Sequence, residues 1–131
     1  PLVSVIDMTT WKTIKQIKTL GGGFFMRSHE NSPYAWTDGF NSTDNRDVMH
    51  IIDKRTLEVA EILRPMPGKT AAHVEFTRDG KYVLISIWED NGALLVYDAV
   101  TLKEVKRLPM SKPSGKYNVY NKIMRSAGTS H

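Results

Sequence analysis

One ten-residue pattern occurs three times in this chain. Val3-Ser4-Val5-Ile6-Asp7-Met8-Thr9-Thr10-Trp11-Lys12 is the first copy; Met49 to Glu58, centred on Asp53, and Leu94 to Lys103, centred on Asp98, are the others. Each is an apolar run ending in Asp, with Thr three residues later, then a large apolar residue (Trp11, Leu57 or Leu102) and a charged one. The Asp residues stand 46 and 45 residues apart. A fixed period of this length is the signature of a repeat architecture. The chemistry of the unit is that of a tight strand connection. An Asp carboxylate accepts hydrogen bonds from backbone N–H groups of its own turn, and Thr suits the strand that follows.

A second shared element precedes the last two copies. Asn31-Ser32-Pro33-Tyr34 and Asp79-Gly80-Lys81-Tyr82 both read as turns leading into a strand, one carrying Trp36 and the other Trp88, which look equivalent. Each unit therefore reads as four strands in about 46 residues, which is one blade of a β-propeller. The expected strands are 24–27, 34–37, 48–53 and 59–63, then 72–76, 82–88, 94–98 and 104–108. Helix is disfavoured, because β-branched and aromatic residues crowd these segments and Gly or Pro breaks them. The organisation predicted is a partial blade over 1–20, whole blades over 21–66 and 67–110, a closing strand over 111–124 and a polar tail over 125–131. A propeller needs about four blades to close. Two blades and two fragments therefore predict a portion of a larger propeller, completed by the rest of that propeller or by self-association through its open edges. An antiparallel sandwich of the same strands is the alternative arrangement.

Composition excludes several classes. With 131 residues, 40% hydrophobic and 24% charged, the chain is a single ordered domain rather than a disordered or fibrous one. No apolar run is long enough to span a bilayer, and Asp7, Lys12 and Lys15 interrupt the N-terminal stretch, so neither a membrane span nor a signal peptide is expected. The absence of cysteine removes disulfides, thiolate metal sites, CxxCH heme attachment and Cys nucleophiles from these residues. A net charge of +4, with mixed signs at 103–107, predicts no nucleic-acid partner; it suits an anionic small ligand.

In a propeller the first strand of each blade lines the central channel, and ligands sit at one of its mouths. Those strands hold Phe24 to His29 and Ala71 to Glu75. His73 stands out. Its small neighbours Ala71 and Ala72 let something bulky approach, and an imidazole there can act as acid or base, hydrogen-bond a ligand or bind a metal. The alternative is a histidine that only bonds a backbone carbonyl. His29, beside Glu30, reads as a turn histidine held by a carboxylate, and His50 as ordinary strand alternation. No HxH, HExxH or carboxylate-pair spacing occurs, so no protein-bound metal site is expected. Gly21-Gly22-Gly23 lacks the Lys-Ser/Thr and helix of a phosphate loop; it reads as a close bend into the innermost strand. Trp36 and Trp88 read as core packing, unless one of them stacks on a flat ligand. The run from Lys112 to Asn121 combines Gly115, Tyr117 and lysines, which suits a planar, anionic, aromatic ligand; a strand whose side chains only pack is the alternative.

These residues resemble the heme d1 propeller family. The resemblance rests on Gly21 to His29, on His73-Val74-Glu75-Phe76 with Ser86-Ile87-Trp88, and most specifically on Gly115-Lys116-Tyr117-Asn118-Val119-Tyr120-Asn121. It covers essentially the whole chain, which corresponds to the C-terminal portion, about the last third, of such an eight-bladed propeller. The family includes the catalytic domain of cytochrome cd1 nitrite reductase and propellers serving heme d1 biosynthesis. The resemblance implies heme d1 or its dihydro precursor as the bound tetrapyrrole, with Phe25 and Trp88 packing on the ring, Arg27 and His73 in contact with it, and Gly115 and Tyr117 in the pocket wall. His73 replaces the amide side chain of the reductase pattern. That departure, the Lys112-Pro113-Ser114-Gly115 opening and the C-terminal tail point to the biosynthetic branch, nearest its member without a c-type heme domain of its own. The implied function is heme d1 biosynthesis for denitrification, with His73 as the catalytic candidate of an oxidoreductase, in the periplasm, beside other pathway proteins or cytochromes. A nitrite reductase domain and a generic scaffold propeller are the alternatives.

Overall fold

The Asp turns close strand pairs as their chemistry predicts. Asp7 accepts from the N–H groups of Thr9 and Thr10 at 2.7 and 3.1 Å, Asp53 from Arg55 and Thr56 at 2.7 and 3.0 Å, and Asp98 from Val100 and Thr101 at 2.8 Å each. These bonds hold all three carboxyls below the usual carboxylate range. The large apolar residue that follows each Thr adopts a left-handed conformation: Trp11 has φ 56°, Leu57 57° and Leu102 62°. Each donates its N–H back to the Asp carbonyl, which completes the turn.

The computed structural model describes residues 1–115 and contains no helix among them. β1 (Leu2–Ile6) and β2 (Thr13–Lys18) form an antiparallel pair. β3 (Met26–Ser28), β4 (Tyr34–Asp38), β5 (Met49–Asp53) and β6 (Glu58–Leu63) form one four-stranded antiparallel sheet in chain order. A second such sheet comprises β7 (Ala71–Phe76), β8 (Tyr82–Ile87), β9 (Ala93–Asp98) and β10 (Glu104–Pro109). The all-β propeller-blade fold is thus as expected. The repeat extends to its irregularities. The outer pair of every unit carries a bulge two positions before the Asp, which leaves Ile14, Ala60 and Val105 opposite no partner. Most of the expected closing strand and all of the expected tail lie outside the described residues.

The core lies between the two four-stranded sheets. Trp36 and Ile51 from one meet Val83, Ile85, Leu95 and Tyr97 from the other, and β7 packs across β3 and β4. β7 is buried along its whole length, as an inner strand must be, whereas β10 is exposed throughout. His29 joins the sheets, and through backbone groups rather than the expected carboxylate. Its Nδ1 accepts from the Asn31 N–H at 3.0 Å, so Nε2 carries the proton and donates to the Arg78 carbonyl at 2.9 Å. Lys54 Nζ donates to the His29 carbonyl at 2.9 Å and reinforces the same junction.

Candidate functional site

The innermost strand of the first blade begins later than its sequence suggests. Phe24 and Phe25 precede β3, and their N–H groups turn away from the ladder to a single side chain. Asp38 Oδ1 accepts from Phe24 at 2.8 Å and from Phe40 at 3.3 Å, and Oδ2 accepts from Phe25 at 3.2 Å. The backbone N–H of His73 also faces this carboxylate and adds a weaker pull. Burial pushes the Asp38 carboxyl up, against the pull of these four donors. Gly23 permits the bend, since a Cβ there would lie 2.5 Å from Thr37 Oγ1 and 2.8 Å from the Asp38 carbonyl oxygen. The glycine run therefore serves close approach, as expected.

The result is a wall of aromatic rings. Phe24 and Phe25 meet edge to face at 4.7 Å, and Phe40 lies 5.9 Å from Phe24 and 6.3 Å from Phe25. Trp88 stacks on Phe40 at 5.5 Å with the planes 24° apart. At the other end the imidazole of His73 meets Phe25 at 4.5 Å. The wall bounds a cavity of about 350 Å³, whose remaining lining comes from Ala72 and Ser86 on the inner strands and from Pro113, Ser114 and Gly115 on the returning segment. The surface is almost wholly apolar. Trp88 is 45% exposed and Phe24 66%, so ring faces are open to a ligand.

His73 owes its place to a defect in the ladder. β7 bulges against β8 between Ala72 and Glu75, and His73 sits in that bulge with φ 60°. A left-handed non-glycine residue is uncommon and costs about 1–2 kcal/mol, a strain that concentrates at functional positions. Arg27 lies apart from the main cavity. It lines an adjoining one of about 150 Å³ that Phe25 and His73 also border, and it pairs with the buried carboxylate of Glu75 at 3.7 Å. Gly115, at φ 49°, reaches the cavity by way of Lys112, whose N–H donates to the Glu89 carbonyl at 2.8 Å and whose ammonium pairs with Asp90 at 3.2 Å. Tyr117 lies outside the described residues.

Of the candidate residues, Phe25, His73, Trp88 and Gly115 come together at one cavity, with Arg27 next door. The pairing of Trp36 with Trp88 is corrected. In register Tyr34 and Tyr82 face Asp53 and Asp98, which makes Phe40, 48 residues before Trp88, its true counterpart. Trp36 is fully buried in the core. Sequence reasoning missed Phe40, Asp38 and the cavity-lining role of Phe24; the Tyr-to-Tyr spacing, applied six residues further on, identifies Phe40. His50 is a buried core histidine whose Nε2 accepts the Leu20 N–H at 3.0 Å. Among the described residues no group of His, Asp or Glu is arranged to hold a metal ion.

Residues 1–122 match the family model described as the cytochrome D1 heme domain. The chain belongs to the cytochrome D1 heme domain family. Among curated members of the family or its relatives, dihydro-heme d1 dehydrogenase of Pseudomonas aeruginosa is 62% identical over 130 residues, covering 99% of this chain and 26% of that protein. Protein NirF of the same organism is 37% identical over 113 residues, 86% of this chain and 28% of that one. A solved complex of dihydro-heme d1 dehydrogenase NirN with DHE superimposes with a TM-score of 0.89 at 63% identity, over 94% of this chain and 26% of that one. This cytochrome D1 heme domain chain thus spans about a quarter of the length of the relatives it matches. Between these two relatives, the higher identity goes to the dehydrogenase.

Proposed function

We propose that this chain is the C-terminal part of an eight-bladed propeller that binds heme d1 or its dihydro precursor and acts as an oxidoreductase in heme d1 biosynthesis. The observation that carries the reading is the aromatic wall from His73 through Phe25 and Phe40 to Trp88. A tetrapyrrole is a flat apolar ring with carboxylates at its edge, and the wall offers it open ring faces in a nearly apolar cavity. Phe25, Phe40 and Trp88 pack on the ring, and Gly115 lets the backbone approach it. Arg27 supplies a cation beside the cavity for an edge carboxylate. His73 hydrogen-bonds the ligand and stands ready to take a proton.

In such a protein the tetrapyrrole is the substrate. Oxidation of its propionate side chain releases two protons and two electrons, and a cytochrome or similar redox partner beyond these residues accepts the electrons. The similarity to dihydro-heme d1 dehydrogenase supports this reading over nitrite reduction. The family resemblance also supports a periplasmic setting, which fractionation of a denitrifying culture tests. The functional test is absorbance titration with the dihydro tetrapyrrole, and turnover, on the full-length protein and its His73→Ala variant. Weaker binding or slower turnover with an unchanged melting temperature is the expected result. Unchanged binding and turnover with a lowered melting temperature removes His73 from the site.

A further inference from the structure

We infer that Asp38 is the positioning residue of the tetrapyrrole cavity: its buried carboxylate ties together the three chain segments that carry Phe24, Phe25, Phe40 and His73. The inference rests on the reading of the cavity just given. Asp38 is the last residue of β4 and has no exposed surface. Phe24 and Phe25 lie before β3, Phe40 lies beyond the end of β4, and His73 belongs to the neighbouring sheet. Backbone bonds from the Asp38 N–H to the Phe25 carbonyl and from the Asn41 N–H to the Gly22 carbonyl join the first two of these segments as well, but only the Asp38 side chain takes N–H groups from both. Each of the four contributes a side chain to the cavity; Phe24, Phe25 and Phe40 bond their backbone N–H groups to the carboxylate, and the His73 N–H faces it.

The chemistry selects an ionised Asp. A carboxylate is acceptor on both oxygens, so it can take N–H donors from opposite sides at once, and bonds to a charged acceptor are the strong ones. An amide at this place keeps one acceptor oxygen and turns an NH₂ group towards donors that cannot accept it. The Phe25 side of the cluster or the side of Phe24 and Phe40 is then left unpaired. Register positions support the assignment: Ser86 is the counterpart of Asp38 in the second blade, so the repeat itself has no need of a carboxylate here. The carboxylate belongs to the cavity rather than to the blade.

The experiment compares Asp38→Asn, Asp47→Asn and Trp88→Ala in the full-length protein. Asp47 is also a buried carboxylate, bonded to Arg64 and to the Gly68 N–H, but it does not line the cavity. Dihydro-heme d1 is titrated by absorbance, and the circular dichroism induced in its visible bands reports how the wall holds the ring. Asp38→Asn is expected to weaken binding about tenfold or more and to change the induced signal. Asp47→Asn is expected to lower the melting temperature while leaving both unchanged. Loss of binding in Trp88→Ala with normal binding and a normal signal in Asp38→Asn overturns the positioning role alone. Normal binding in both overturns the cavity reading as well. If Asp38→Asn does not fold, amide exchange on the wild type decides. The N–H groups of Phe24, Phe25, Phe40 and His73 should exchange as one unit and slow together when the tetrapyrrole binds; independent exchange that ligand does not alter refutes the proposal.

Discussion

Gly80→Ala tests how the two blades are joined. Gly80 has φ +74°, and a Cβ built on it would lie 2.4 Å from His29 Nδ1, 2.8 Å from Cγ and 2.9 Å from Cε1. The left-handed backbone alone costs an alanine about 1–2 kcal/mol. The clash cannot be relieved cheaply, because the His29 ring is buried and bonded at both nitrogens, to the Asn31 N–H and the Arg78 carbonyl. Moving it leaves a buried polar group unpaired, at about 1–3 kcal/mol. The combined cost is therefore about 2–5 kcal/mol. The assay is urea unfolding of the full-length protein in a double-mutant cycle with His29→Ala. Once the imidazole is gone, Gly80→Ala should cost only the backbone strain. A cost within about 0.5 kcal/mol of zero, or the same cost in both backgrounds, would show that His29 is not the joint described here.

Two further outcomes follow from the buried groups. Burial holds the His50 imidazole below its ordinary value of 6.5, and its Nε2 is already an acceptor for the Leu20 N–H. The unfolded chain binds the extra proton more readily, so stability is full above pH 6.5 and falls as the pH drops through the depressed folded value; His50→Gln should flatten that slope in a pH series of melting temperatures. Ala72→Leu should push side-chain volume into the cavity that Ala72 lines, weakening tetrapyrrole binding with little change in melting temperature; unaltered affinity would place the ligand elsewhere.

The blades were legible because their signals are local. Asp7, Asp53 and Asp98 each bond residues two and three positions on, and that chemistry shows in any ten-residue window. The site was legible only where a residue type was unusual for its strand, as with His73 between small residues and a glutamate. Its organisation was not, because it depends on contacts across sheets. Asp38 looks like any strand-terminal acid until its carboxylate is seen to hold Phe24 and Phe25, and those two residues look like the start of a strand for the same reason. The left-handed His73 left no trace in the sequence, since bulges leave their mark through glycine and this position has none. The apparent match of Trp36 to Trp88 misled because residue type was followed instead of register.

The central claim is that the wall of Phe25, Phe40 and Trp88 receives a flat tetrapyrrole. Trp88 is 45% exposed, so a ring laid on it covers roughly 100 Å² of apolar surface, or about 2.5 kcal/mol at about 25 cal/mol per Å². That corresponds to a loss of about fifty- to a hundredfold in affinity. The deciding measurement is the Kd for dihydro-heme d1 by absorbance titration of the full-length protein and its Phe40→Ala/Trp88→Ala variant, with melting temperatures alongside. The account predicts a folded double variant whose Kd rises by at least about fiftyfold. A folded double variant that binds the tetrapyrrole as tightly as the wild type would contradict it.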